Sequence, residues 1–510
     1  MIHFMQETDR MARAHHRCMS PNAREKPSAL AVGLMTALST LYLSESFSLM
    51  NNITKRFRTL ISGNGLHALL ARGMSGAFIV HLGGVLAALG VQILLARLLG
   101  TKRYGDFIYA FSVATLAATW LKLGLDAGII RFVPAYRTQG EWGLIRGLLI
   151  RSFQTMFLTS VVVVMMASTA LWIWSTKLGL GLSSTLQVAT FLVPVMMLQF
   201  LFESRLRAFD RVFFARLPHE VIQPTLQAAL VIGAAWFTTL ALEADNVMVL
   251  TVVSVLLSLG LGQIFFKRFS PIEITTARPE YQTRKWITTA IQLSLFSSML
   301  IAISQIDIVL SGIFLGTTDA GMYSIASRAS KLIPFGLSAV NMAMAPLISR
   351  LYAEKKIKEL QHILTIAAGI ILVVMLIASL AIVGFSDIIL RLFGDDFGAA
   401  RPALLVLALG QFVNALSGAA GLLMTMTGHQ TQAIQVVGVS LVIDFVLNVV
   451  LIPRYGIIGA ATATAITTAT WNILLVYLVH RLVGVNPTIL ALLPATKAFL
   501  KRRKTGRSLV

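Results

Sequence analysis

Runs of about twenty consecutive apolar residues recur along most of this chain, the length that carries a helix across a ~30 Å hydrocarbon core. They are continuous rather than alternating, so helices fit them and a barrel does not. Twelve such runs lie near 74–96, 107–130, 153–175, 185–204, 219–241, 246–266, 289–315, 320–346, 362–384, 402–424, 430–452 and 457–480. Composition agrees: only 13% of the 510 residues are charged and 56% are hydrophobic, where a soluble chain is about a quarter charged. The expected fold class is an all-α integral membrane protein.

Charge orients the spans. Lys and Arg number 43 against 22 Asp and Glu. In a soluble protein that excess would suggest nucleic acid; among membrane spans it reads as topogenic loop charge, and no nucleic-acid partner is expected. The loops after the second, fourth, sixth and eighth spans carry more than twice the basic residues of the loops on the other side. Arg137, Arg207, Lys285 and Lys356 are among them. Both termini are therefore expected in the cytoplasm. The lone Cys18 excludes a disulfide framework within one chain. No motif with metal-ligand, phosphate-loop or hydrolase spacing is present, so neither metal nor cofactor is expected.

The chain repeats itself. Leu99 to Ala110 reads LGTKRYGDFIYA and Leu315 to Ala326 reads LGTTDAGMYSIA, with Leu, Gly, Thr, Gly and Ala in register. The first copy joins spans 1 and 2, the second spans 7 and 8. Six spans separate them, an even number. The two halves then enter the membrane the same way and are related by a pseudo-two-fold axis along the membrane normal. The expected organisation is an N-terminal extension at 1–60, a first six-helix lobe at 61–266, a cytoplasmic linker at 267–288, a second lobe at 289–484 and a basic tail at 485–510. The extension could be non-native or interfacial, and the tail could rest on anionic lipid.

Several stretches resemble the polysaccharide flippases of the multidrug/oligosaccharidyl-lipid/polysaccharide exporter superfamily. They are ARLLGTKRYGDF (Ala96 to Phe107), LGLDAGIIRFVPAYRTQGEWGLIRGLL (Leu123 to Leu149), RLFGDDF (Arg391 to Phe397), MTGHQ (Met426 to Gln430) and LNVVLIPRYGIIGAATAT (Leu447 to Thr464). The likeness runs over about 70–484. It implies a non-enzymatic transporter in the bacterial plasma membrane that moves an undecaprenyl-pyrophosphate-linked oligosaccharide between leaflets by alternating access. It also implies membrane lipids, and possible polysaccharide-assembly proteins, as partners. A cation-coupled multidrug exporter of the same fold is the first alternative. A membrane glycan polymerase or glycosyltransferase is the second, disfavoured because no loop could hold a catalytic domain.

Charges inside the spans mark candidate sites. Asp307 in span 7 and Arg328 in span 8 lie equally far from the turn between them, so straight helices put both near the midplane. Lys331 follows one helical turn deeper, and Pro334 should break the helix there. A neutralising ion pair would explain Asp307 and one base. The second base leaves a positive surplus suited to a pyrophosphate, with Arg328 and Lys331 binding it and Asp307 holding them or coupling the cycle to H+ or Na+. Lys122 and Asp126, one turn apart in span 2 and flanked by Gly124 and Gly128, are either a self-paired soft stretch or a gate. Arg131 is either topogenic or the first contact of an entering lipid phosphate. Asn414, Asn448 and Asn472 are expected as interhelical glue. Asp444 has no basic neighbour in its own span.

Overall fold

The computed structural model describes residues 66–178, 180–237 and 242–491. The expected extension at 1–60 and residues 492–510 of the basic tail lie outside them. All regular structure among the described residues is helical.

Helix α1 spans Leu66–Leu121 but turns back on itself at Gly100, whose φ of 69° and ψ of 178° leave the helical region. Then come α2 (Leu125–Gln139), α3 (Trp142–Leu178), α4 (Leu180–Ala208) and α5 (Val212–Leu217). A π-helical turn, Pro218–Ile222, leads into α6 (Gln223–Phe237), followed by α7 (Ala244–Phe269) and the single turn α8 (Glu273–Thr276). The second half comprises α9 (Thr283–Leu315), α10 (Thr317–Ser330), α11 (Phe335–Ala353), α12 (Ile357–Gly384), α13 (Ser386–Phe393), α14 (Arg401–Leu416), α15 (Ala420–Met426) and α16 (Gln430–Val483). Helix α16 turns at Gly456, with φ 62°.

Eight of these helices are long and apolar enough to cross a membrane. Two of the eight, α1 and α16, are hairpins of two spans each. Two further crossings are made in pieces, one through α5, the π turn and α6, the other through α10 and α11. Among the described residues the result is the expected twelve spans. Their outward faces are apolar: Trp172 is 74%, Trp236 83% and Phe237 88% exposed. Only a lipid solvent makes such exposure favourable.

Both repeat copies turn at a glycine with positive φ and extended ψ, Gly100 and Gly316 (φ 98°, ψ 166°), a conformation costly for a residue with a Cβ. A second repeated glycine has a different use. Gly105 and Gly321 occupy equivalent places in the two copies, and they touch. A Cβ on Gly321 would lie 2.9 Å from the Gly105 Cα, and one on Gly105 would overlap the Thr317 carbonyl. Equivalent residues in mutual contact sit on the axis that relates them. The pseudo-two-fold axis therefore passes between the first halves of the second and eighth spans, at the hairpin end of the molecule.

The lobes also pack along the remainder of the second and seventh spans. A Cβ on Gly124 would overlap the Ala290 carbonyl and approach Ser294 Cβ to 2.5 Å, and one on Gly128 would meet Ala290 Cβ at 3.1 Å. Without a hydrophobic drive between helices in lipid, close backbone approach through small residues supplies the dispersion that holds them. Gly143 and Gly147 of GEWGLIRG do similar work at the opposite end. Gly147 faces the Glu280 backbone so closely that a Cβ would overlap its carbonyl. Arg146 Nη1 donates to the carbonyls of Thr275 (2.6 Å) and Ala277 (2.7 Å). The segment between the lobes is thus held against the start of α3. The stretch expected as linker, 267–288, contains the end of α7, all of α8 and the first turns of α9.

Candidate functional site

The eighth span breaks where Pro334 predicts. Helix α10 ends at Ser330, residues 331–334 form turns, and α11 starts at Phe335. Lys331 caps α10. Its side chain is accessible, yet it is surrounded by protein, with Arg328 and Asp307 as the charges that act on it. Accessibility without a lipid-facing position means that it projects into an internal cleft. Arg328 is half-buried; its Nε donates to Ser324 Oγ at 3.4 Å, and the Tyr104 hydroxyl of the second span lies against both side chains. Tyr104 in turn donates to Gln92 Oε1 at 2.8 Å. Arg328 therefore stands at the junction of the lobes, with Lys331 beside it.

Asp307 does not neutralise them. No ion pair joins it to Arg328 or Lys331 among the described residues, and the expected carboxylate–arginine pairing is corrected on this point. Its carboxylate turns into the second lobe and accepts three hydrogen bonds of 2.7 Å each, from Tyr323 Oη, Thr464 Oγ1 and Asn448 Nδ2. Equal depth in the membrane did not guarantee contact, because the two side chains leave their helices on different faces.

Asp444 of α16 lies beside Asp307, and both are buried. Both Asp444 oxygens, Asn448 Oδ1 and Thr467 Oγ1 are buried, and the Asp307 carboxyl and Thr467 lie against Asp444 without closing a hydrogen bond of good geometry. Buried polar atoms are rarely left so. A pair of carboxylates ringed by orphaned neutral oxygens is chemically a seat for a proton or a small hard cation.

Lys122 and Asp126 form the expected pair at 2.7 Å. The pair brackets a break: Leu123 and Gly124 both adopt positive φ, 49° and 70°. Lys122 is buried with its Nζ 4.5 Å from the centre of the Phe200 ring. Arg131 is exposed and has no partner among the described contacts. Asn472 donates to Asn414 Oδ1 at 3.1 Å and joins two spans as glue. Asn448 is interhelical glue as well, through its bond to Asp307 of the seventh span.

A profile of the polysaccharide biosynthesis protein family matches residues 70–352, more than half of the chain. The chain belongs to this family. A second family profile, MatE, matches residues 293–450. Two relatives from Haloferax volcanii are each 27% identical. Agl15, a "Probable low-salt glycan biosynthesis flippase", aligns over 172 residues, 34% of this chain and 36% of the relative. AglR, a "Probable flippase", aligns over 195 residues, 37% and 40%. The chain thus spans under half the length of the curated relatives it matches.

Among solved structures, the lipid II flippase MurJ in an inward closed conformation has TM-score 0.59 at 16% identity, covering 79% of this chain and 86% of that one. An inward-facing multidrug resistance MATE transporter also scores 0.59, at 15% identity, covering 81% and 94%. These likenesses establish the two-lobed, twelve-helix fold.

In this member of the polysaccharide biosynthesis protein family, sequence reading found Asp307 and the broken eighth span but missed the neighbours of Asp307. Tyr323, Thr464 and Asp444 lie on three other spans. The one available signal was Asp444 and Asn448 one turn apart, without a basic partner. Trp286 was missed too: fully buried, it donates to the Tyr136 hydroxyl at 3.0 Å and ties the seventh span to the second.

Proposed function

We propose that this protein is a flippase that moves a lipid-linked oligosaccharide, carried on a polyprenyl pyrophosphate such as undecaprenyl pyrophosphate, across a bacterial plasma membrane by alternating access. The observation that carries the reading is the accessible Lys331 beside Arg328 at the lobe junction, with no carboxylate closing either side chain. A cation held in a cleft at midplane depth is costly unless an anion uses it. A pyrophosphate offers several acceptor oxygens to an arginine fork and a lysine ammonium. Family membership and the names of the Haloferax relatives support this direction. Arg131, exposed at one end of the second span, is the entry contact in this scheme, and the Lys122–Asp126 pair is a hinge latch where that span breaks.

The carboxylate pair supplies the coupling. Asp307 and Asp444, with Asn448, Thr464 and Thr467 around them, take up a proton or Na+ in one half of the cycle and release it in the other. The bound cation tightens the packing of the seventh, eleventh and twelfth spans. Asp444→Asn should keep the fold and abolish dependence of transport on the cation gradient.

The decisive variant is Arg328→Gln with Lys331→Gln. Because neither side chain pairs with Asp307, the change leaves no orphaned carboxylate, so insertion and melting should match the parent. Glycan export should fall at least about tenfold, a loss of roughly 1.4 kcal/mol in transport-competent binding. Unchanged export would overturn the pyrophosphate site. A second reading, export of cationic drugs, draws on the MatE match; it predicts drug efflux that the same double variant leaves intact.

A further inference from the structure

His81 of the first span stands at the contact between the lobes, opposite a carboxylate oxygen that lacks a hydrogen bond. Its ring stacks on Phe335, the first residue of α11, with centroids 6.0 Å apart and planes 18° from parallel. Its Nδ1 lies 3.4 Å from Glu220 Oε2, and that oxygen is buried with no hydrogen-bond partner. So one imidazole touches the second lobe through an apolar stack and its own lobe through an unmade polar bond.

The surroundings of Glu220 are built for close approach. It sits in the π-helical turn Pro218–Ile222, a distortion of the α-helix frequent at functional positions. The Pro218 carbonyl accepts a 2.7 Å hydrogen bond from Ser258 Oγ. A Cβ on Gly84, one turn after His81, would lie 2.8 Å from Glu220 Cβ, so the first and fifth spans touch there at backbone distance. Along the helices, His81 lies about 28 Å below Gly100, and Phe335 a similar path below Gly316. The contact therefore closes the cleft at the end opposite the hairpin turns, beyond Arg328 and Lys331.

We propose that His81, Glu220 and Phe335 form a proton-operated gate at that end of the cleft, in which protonation of His81 opens the contact between the first and eighth spans. Histidine is the side chain suited to such a switch near neutral pH. A proton on both ring nitrogens makes Nδ1 a donor in every tautomer and turns its contact with Glu220 Oε2 into a charge-assisted hydrogen bond, which draws the ring toward the fifth span. The same charge is unfavourable on the other side. The N-terminus of α11 carries the positive end of its helix dipole, and Lys331 lies four residues before Phe335. A protonated ring still attracts the face of Phe335, but at a half-exposed site that attraction is weaker than a charge-assisted hydrogen bond to the buried oxygen of a partly buried carboxylate. The charged groups around His81 are thus Glu220 and its second partner Arg216, 3.3 Å away on Oε1, on the fifth span, and Lys331 on the eighth. Arg216 neutralises part of Glu220 and keeps the pull reversible.

The gate is separate from the coupling carboxylates, and its test reads geometry rather than transport. Spin labels at Leu82→Cys and Ser338→Cys, in a Cys18→Ser background in lipid nanodiscs, report the separation of the two spans. Between pH 8 and pH 5 the longer-distance population should rise at least about threefold in the parent. His81→Phe keeps a ring for the stack and cannot be protonated, so its distances should stay short at both values. Glu220→Gln removes the charge that pulls on the protonated ring and should suppress the rise. A parent indifferent to pH would overturn the proposal, as would a His81→Phe protein that opens like the parent.

Discussion

Gly105→Ala tests whether the axis glycines hold the hairpin end shut. Alanine is the better helix former by up to about 1 kcal/mol, so the second span itself gains. All of the loss falls on the contact between lobes. The new Cβ would overlap the Thr317 carbonyl, a backbone atom that cannot rotate away. For the equivalent change at Gly321, the Cβ would sit 2.9 Å from Gly105 Cα where ordinary contact begins at 3.4 Å. The spans must therefore part by about half an ångström or more, and overpacking of this kind costs about 1–3 kcal/mol. Spent on a closed state, that shifts the closed-to-open ratio about 5- to 150-fold. Electron–electron distance measurements between Lys102→Cys and Thr318→Cys labels, with Cys18→Ser, should show a new long-distance population in Gly105→Ala and Gly321→Ala. Gly90→Ala, where nothing lies within 4 Å of the added methyl, should leave the distribution unchanged. If Gly105→Ala gives the parental distribution, the axis contact does not hold the closed state.

Trp286→Phe removes the hydrogen bond to Tyr136 at the seat of the seventh span; a cost of about 1 kcal/mol should appear as a lower melting temperature, with export little changed. Glu354, in the turn between α11 and α12, is held down to about 2 by hydrogen bonds from Arg350 and Lys356. A depressed carboxylate contributes stability that is present above its ordinary value of 4.5 and lost as pH falls toward 2. Carbon-13 side-chain shifts should accordingly show Glu354 still ionised at about pH 4, and a midpoint at the ordinary value would refute the pairing. Basic-loop bias predicts that the hairpin turns face outside the cell: an impermeant maleimide added to intact cells should label Thr318→Cys and miss Glu354→Cys. The reverse pattern would invert the orientation.

The number of spans was legible because transfer into hydrocarbon is a summed property of about twenty residues and needs no partner. The turns at Gly100 and Gly316 and the break before Phe335 were legible for a related reason. Positive φ belongs to glycine, and a proline withholds a helical hydrogen bond, whatever surrounds them. The repeat, too, could be seen in the letters, and with it the axis. That Gly105 would meet Gly321 on that axis could not.

What only the tertiary structure decided is the rotation of each helix about its own length. In water, an apolar stripe tells which face turns inward. In lipid both faces are apolar, so the stripe fades and the sequence no longer says where a side chain points. Asp307 shows the consequence. Its depth followed from its distance to the turn. Its direction, away from Arg328 and toward Tyr323, Asn448, Thr464 and Asp444, depended on how four helices pack. Those partners are up to 157 positions away. Lys122 and Asp126 are the contrast, one turn apart on one helix, where spacing alone brings the charges together.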